Sequence, residues 1–150
     1  MTEVREISAA ETKSLRHRVL WPHIEKEEDC TIDIDLREDA IHLGVFHDGV
    51  IVAIGSFFQM ETTKLPPFAK AYRLRAMASD PNYRKMGFGE KLITHGLELL
   101  KNRGIDVLWC DARKVAIGFY ERLGFEKIDE WYEVRNVGPH QFMYKYLKPK

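Results

Sequence analysis

The chain switches repeatedly between stretches of period two and stretches of helical period, and the order of those stretches sets its fold class. Val4–Ile7 reads as a short extended segment. From about Ala9 to Leu20 the spacing predicts a helix with Leu15, Val19 and Leu20 on its apolar stripe; Ser8 and Glu11 form a capping box at its start and Pro22 ends it. His42–His47 and Val50–Gln59 are apolar runs joined by Asp48-Gly49, two residues that accept positive φ, which predicts a hairpin. Ala71–Ala78 alternates, with Tyr72, Leu74, Ala76 and Ala78 on one face and Arg73, Arg75 and Met77 on the other, the pattern of a half-buried strand. Gly87 to Arg103 carries Phe88, Leu92, Ile93, Gly96, Leu99 and Leu100 at helical spacing and is stopped by Gly104. Val107–Cys110 reads as a buried strand, and Lys114–Leu123 as a second amphipathic helix with Ala116, Phe119, Tyr120 and Leu123 on one stripe and Gly124 just past its end. Phe125–Val134 and Gln141–Leu147 are two closing strands. An early hairpin followed by strand–helix–strand–helix predicts an α/β (α+β) mixed sheet with helices on its faces.

With 150 residues, no repeat and no low-complexity tract, a single domain over 1–150 is expected. Lys+Arg and Asp+Glu both number 23, so the chain lacks the excess of cations that general binding to nucleic acid or an anionic membrane requires. Two cysteines, Cys30 and Cys110, exclude a disulfide framework and suit a reducing compartment. The six histidines show no metal-ligand spacing, so no metal is expected. The opening residues do not read as a secretory signal, and the longest near-apolar run, Val50 to Phe58, is far short of the ~20 residues of a membrane span. A cytoplasmic protein is expected. Glu25 to Asp39 breaks the balance, with eight acidic residues against Lys26 and Arg37. It reads either as a solvated loop or as an acidic rim for a cationic substrate.

The stretch Ser79-Asp80-Pro81-Asn82-Tyr83-Arg84-Lys85-Met86-Gly87-Phe88-Gly89 carries the chemistry. A strand ends, Pro81 turns the chain, and a glycine-containing loop opens a long helix. Such an N-terminus presents unsatisfied N–H groups and partial positive charge, so it is a site for an anion. Gly87 and Gly89 leave the backbone open, and Arg84, Lys85 and Lys91 add cations. The physics points to a pyrophosphate site. Neither a Walker loop nor a Rossmann fingerprint is present, which leaves a nucleotide-binding protein poorly supported.

Arg84-x-x-Gly87-x-Gly89 resembles the Q/R-x-x-G-x-G/A loop of the GNAT superfamily of acetyl-CoA-dependent N-acetyltransferases. Ala116-Ile117-Gly118-Phe119-Tyr120-Glu121-Arg122-Leu123-Gly124-Phe125 resembles that family's second hallmark, at the expected distance. Pro139-His140-Gln141-Phe142-Met143 is similar to a P-H-x-x-M ending in one bacterial branch, and Leu15 to Leu20 to that branch's first helix. The resemblance implies a mostly antiparallel sheet splayed open between the strands near Ala71–Ser79 and Val107–Cys110, with acetyl-CoA as co-substrate in the splay. It implies backbone contacts to the pantetheine arm at Met77, Ala78 and Ser79, and a pyrophosphate on the amides of Lys85, Met86, Gly87, Phe88, Gly89 and Glu90 beside Arg84. Ala116 and Phe119 of the second motif, and Arg113, complete the cofactor-binding set.

Direct transfer of acetyl to an amine requires a deprotonated amine, donors for the developing oxyanion and an acid for the leaving thiolate. The resemblance makes Tyr120 that acid; the periodicity alone reads it as one more residue of an apolar stripe. Many relatives place a Glu where this chain has Leu108, so the base falls to Asp111, to His140 or to a water relay. Where this chain has Arg113 many relatives have an Asn that contacts pantetheine, and a cation there could reach a phosphate instead. Trp21 and Trp131 read as half-buried cover or as walls for an amine, and Cys110 and the pair Phe57-Phe58 as core. The acceptor is expected to be an amine of a small molecule, peptide or protein, a cationic one if the acidic segment is a substrate rim, and the protein a monomer or homodimer. A non-catalytic acyl-CoA-binding module of the same fold is the alternative.

Overall fold

The computed structural model describes residues 1–67, 69–134 and 138–147. Strand β1 (Thr2–Ile7) leads into the capping box read from the sequence: the Ser8 amide donates to Glu11 Oε1 (2.9 Å) and the Glu11 amide to Ser8 Oγ (3.3 Å). The helix that follows is less even than its period predicts. A 3-10 turn (Ala10–Thr12) enters α1 (Lys13–Leu15), and a π turn (Arg16–Leu20) leaves it, closed by a bond from Trp21 N to Arg16 O (2.8 Å). Strands β2 (Ile41–His47) and β3 (Val50–Gln59) form the hairpin, with Asp48 and Gly49 both at positive φ. Then come β4 (Ala71–Ser79), α2 (Phe88–Asn102), β5 (Val107–Arg113), α3 (Ile117–Arg122), β6 (Glu126–Val134) and β7 (Gly138–Tyr146).

Among the described residues seven strands lie in the order β1-β2-β3-β4-β5-β7-β6, and every neighbouring pair is antiparallel except β4 with β5. Strand β5 runs three residues beyond its apolar core because β7 pairs with it as far as Arg113 opposite His140. Two apolar layers flank the sheet. Leu92, Ile93 and Leu100 of α2 and Ile117 and Tyr120 of α3 join Phe57, Leu74 and Leu108 in one core; Leu15 packs on Ile54 and Ala78 in another. A third cluster, around Trp109 and Phe142, includes Ala71 and Val107, which pair where β4 meets β5. Phe57 and Phe58 are both buried, as core.

Helix α2 lies close against the sheet because Gly96 has no side chain: a Cβ there would stand 2.6 Å from the Phe57 ring. Gly96→Ala is therefore expected to cost about 1–3 kcal/mol through overpacking, more than the helix-propensity gain of ~1 kcal/mol returns. A urea or thermal melt reads this as a lowered midpoint, and an unchanged or raised midpoint would contradict the close approach.

A buried polar network ties the segment after the first helix to the sheet. Arg16 is 0% exposed and grips Asp35 with both guanidinium ends (2.7 and 2.9 Å). It also donates to Ser56 Oγ (2.9 Å) and to the Cys30 carbonyl (3.3 Å). The Ile32 amide donates to Asp35 (2.9 Å), and His42 bridges Ser56 Oγ and the Asp35 carbonyl. Burial alone would raise the Asp35 carboxyl; the Arg16 guanidinium and the Ile32 amide outweigh it and hold the group below the usual range. Part of the acidic segment is thus structural. Asp35 is consumed here, and Asp39 pairs with Arg37 and accepts from the Gln59 amide (2.7 Å).

Candidate active site

Pairing between β4 and β5 lasts three residues, Ala71↔Val107 to Arg73↔Trp109, and then the strands part. From Leu74 onward the β5-facing edge of β4 has no strand partner among the described residues. A β-bulge helps to part them. Ile54 pairs with Ala78 and Ser56 with Arg75, which leaves one extra residue on β4, and Ala76 there holds φ +53°. A cleft of about 520 Å³ fills the splay. Of the residues expected to bind the co-substrate, Met77, Ala78, Ser79, Arg84, Arg113, Ala116 and Phe119 line it, and so do all three candidate catalytic residues, Tyr120, Asp111 and His140.

Lys85, Met86, Gly87, Phe88, Gly89 and Glu90 lie at the mouth of α2 and outside the cleft lining. Lys85 (φ +65°) and Gly87 (φ +76°) turn the chain so that α2 starts with no side-chain cap. The first helical amides are thereby left to a ligand. The two glycines serve different ends. A Cβ at Gly87 would meet nothing within 4 Å, so this position leaves the approach to the amides open. A Cβ at Gly89 would stand 3.1 Å from Met77 and 3.3 Å from Phe119, so this glycine permits close packing of α2 on the cleft wall. Phe88 turns into the core against His47, and the Met86 side chain is exposed; their backbone amides are what the loop offers.

Helix α3 delivers Tyr120 to the cleft wall, with its ring edge-on to Phe119 (5.1 Å) and Phe125 (5.3 Å). The residue is 6% exposed, and its hydroxyl makes no hydrogen bond among the described residues. Burial, and after it Cys110, pushes the phenol well above its ordinary range, with Arg113 pulling slightly the other way. Cys110 itself is buried, its thiol pushed up chiefly by desolvation, as a core residue should be.

The two candidate bases differ in how they are held. Asp111 is occupied on both oxygens: Arg73 donates to Oδ2 (2.7 Å) and the Tyr132 hydroxyl donates to Oδ1. His140 Nδ1 lies 2.8 Å from the Gly138 carbonyl, which can only accept, so Nδ1 carries the proton. In the neutral ring Nε2 is then the free lone pair. Trp21, Arg73 and Arg75 also line the cleft; Trp131 stands half-exposed on β6 outside it. None of the exposed acids Glu25, Glu27, Glu28 and Asp29 lines the cleft, where Asp111 is the one carboxylate among the described residues.

The uncapped helix mouth, the open β4 edge and the arginines at 84 and 113 fit a long, anionic, strand-like ligand of the coenzyme A type. Residues 2–125 match the model of the acetyltransferase (GNAT) family, and the chain belongs to that family. It is similar to the "Uncharacterized N-acetyltransferase YitI" of Bacillus subtilis, 39% identical over 148 residues that cover 99% of this chain and 98% of the relative. Among solved structures, an aminoglycoside 6'-N-acetyltransferase complexed with coenzyme A shares the fold with a TM-score of 0.79, at 13% identity and covering 99% and 98% of the two chains. The ribosomal-protein-S18-alanine N-acetyltransferase of Escherichia coli does so at 0.75, with 19% identity and 100% and 96% coverage. No helix among the described residues is long and apolar enough to cross a membrane.

Proposed function

We propose that this chain is a single-domain cytoplasmic N-acetyltransferase that moves acetyl from acetyl-CoA to a primary amine by direct attack in a ternary complex. The observation that carries this reading is the parting of β4 and β5 into a cleft that reaches Arg84, in the loop before the uncapped mouth of α2, and that is lined by Tyr120, whose hydroxyl makes no hydrogen bond among the described residues. Acetyl-CoA supplies an activated acyl thioester. The Met77–Ser79 backbone offers amides toward the acyl oxygen, since bulged backbone beside an open strand edge is preorganised and costs no rearrangement. Arg84 and the first amides of α2 hold the pyrophosphate, and Arg113 lies within the same positive wall. Tyr120 keeps its proton at neutral pH and holds an O–H ready for the leaving sulfur.

His140 is the better-placed base. Its tautomer is fixed by Gly138, whereas both oxygens of Asp111 are committed to Arg73 and Tyr132. Asp111 then positions that wall of the cleft rather than taking the proton. His140→Gln is expected to lower kcat/KM for the amine about a hundredfold, in the range of a positioned base, with acetyl-CoA binding retained. A loss below threefold would remove His140 and return the role to a water relay. His140 also lies in the P-H-x-x-M ending of the bacterial branch, which would give that motif a chemical reason.

Steady-state release of CoA thiol across an amine panel, with the product mass read alongside, tests the activity. Release with a mass gain of one acetyl on the amine supports it. Acetyl-CoA binding without release across the panel would instead favour a non-catalytic acyl-CoA module. A cationic acceptor would have to meet the acidic segment outside the cleft, and neutralising Glu27, Glu28 and Asp29 together would then weaken the preference for polyamines or basic peptides.

A further inference from the structure

We infer that the acceptor of this cleft is an amine that also carries a carboxylate, and that Arg75 is the residue that selects it. The inference rests on the acetyltransferase reading and deepens it. Among the described residues four arginines line the cleft, and two are accounted for at the co-substrate end: Arg84 belongs to the pyrophosphate loop, and Arg113 precedes the turn into α3. Arg73 is neutralised by Asp111 and rests on the Trp109 ring (4.9 Å). Arg75 remains. It is half-buried, and it makes no hydrogen bond, ion pair or ring contact among the described residues.

Among the described residues its surroundings offer no internal counter-ion within ion-pairing distance. Arg75 pairs in register with Ser56, whose hydroxyl is already taken by Arg16 and His42. The carboxylates that act on it are Asp33 and Asp35; Asp35 is gripped by Arg16, and Asp33 lies beyond ion-pairing distance. Arg73 and Arg16 repel it, and burial, the larger effect, adds to the cost of its charge. A guanidinium kept in a cleft under those conditions is a site for a planar anion, for which its paired N–H groups form a fork. It stands on the β4 segment before the bulge at Ala76 and Met77, whereas the donors proposed for the acyl oxygen, Met77–Ser79, lie in and after that bulge, so an anion held here is on the acceptor side. Val19, Leu20 and Trp21 line the same cleft from above the sheet and suit an apolar remainder. An α-amino acid with an apolar side chain has this combination of amine, carboxylate and apolar group.

The test compares matched series of leucine, methionine and phenylalanine as free acid, as amide and as the decarboxylated amine, by CoA release. In parallel, thermal unfolding with CoA present compares each N-acetyl acid with its N-acetyl amide, a readout that needs no turnover. The free acids are expected to lead by roughly tenfold to a hundredfold in kcat/KM, the worth of a charge-assisted hydrogen-bond pair. They should lead even though the amides hold more of their amine unprotonated. Arg75→Gln is expected to raise KM for the acids by that factor, leave the amides unchanged, and leave the acetyl-CoA stabilisation intact; Arg75→Lys should restore part of the preference. Equal or better use of amides with no acid preference in the melts, or a preference that survives Arg75→Gln, overturns the inference while the acetyltransferase reading stands. Failure of acetyl-CoA itself to stabilise the protein would bring down that reading instead.

Discussion

Tyr120→Phe is expected to lower kcat about a hundredfold while leaving acetyl-CoA binding and the melting temperature nearly unchanged. The substitution removes one oxygen that makes no hydrogen bond in the folded protein among the described residues, so no buried partner is orphaned. The aromatic contacts with Phe119 and Phe125 depend on the ring, which phenylalanine keeps. A loss confined to kcat therefore isolates the proton. The pH profile supplies a second check. Because burial raises this phenol, its protonated form persists to higher pH than that of a free tyrosine at ~10. The wild-type rate should accordingly show no alkaline fall from Tyr120 below about pH 10. An unchanged kcat in Tyr120→Phe would take the residue out of the mechanism.

Arg16→Met is expected to destabilise the fold by about 3–5 kcal/mol, the cost of leaving a buried carboxylate without its partner. For a domain of this size the corresponding fall in Tm is roughly 10 °C. The sign of the pH dependence distinguishes this cause from simple loss of packing. In the wild type the Asp35 carboxyl is depressed, so its contribution is present above the unfolded value near ~3.9 and is lost as pH falls through the folded value. Without Arg16, burial raises the Asp35 carboxyl. The unfolded chain then holds the ionised form more cheaply, and stability rises as pH is lowered from 7 toward 5. Removing both partners, as in Arg16→Met with Asp35→Leu, should recover part of the loss but not all, because the Ile32 amide and His42 also lose acceptors or geometry. A deficit independent of pH, with no recovery in the double variant, would contradict the role assigned to the pair.

These two residues also mark how far the sequence could be read. Tyr120 was visible twice, in the helical period of Ala116–Leu123 and in the resemblance of that stretch to a family hallmark. Arg16 was not visible as buried, because its partner lies 19 residues on, in a segment with no periodicity, where eight acids look alike. Only the fold decides that Asp35 is swallowed while Glu25 and Glu27 stay in water. The alternation of Ala71–Ala78 predicts the strand that forms, yet it places Arg75 on a polar face that a strand pattern assigns to solvent. The bulge at Ala76 and the parting of β5 after Arg73 turn that face into a cleft wall. The sequence offers Gly87 and Gly89 alike as room for a phosphate; the fold adds that Gly89 also makes room for Met77 and Phe119, a contact between residues distant in sequence.

The central claim is that the β4–β5 splay and the mouth of α2 bind acetyl-CoA, and thermal unfolding tests it most directly. A ligand at a hundred times its Kd adds ~2.7 kcal/mol, which for a chain of this length raises Tm by about 5–10 °C. The account predicts such a shift with acetyl-CoA, a comparable one with CoA, and none with ATP at the same concentration. No shift at saturating acetyl-CoA, or a larger one with ATP, would contradict it.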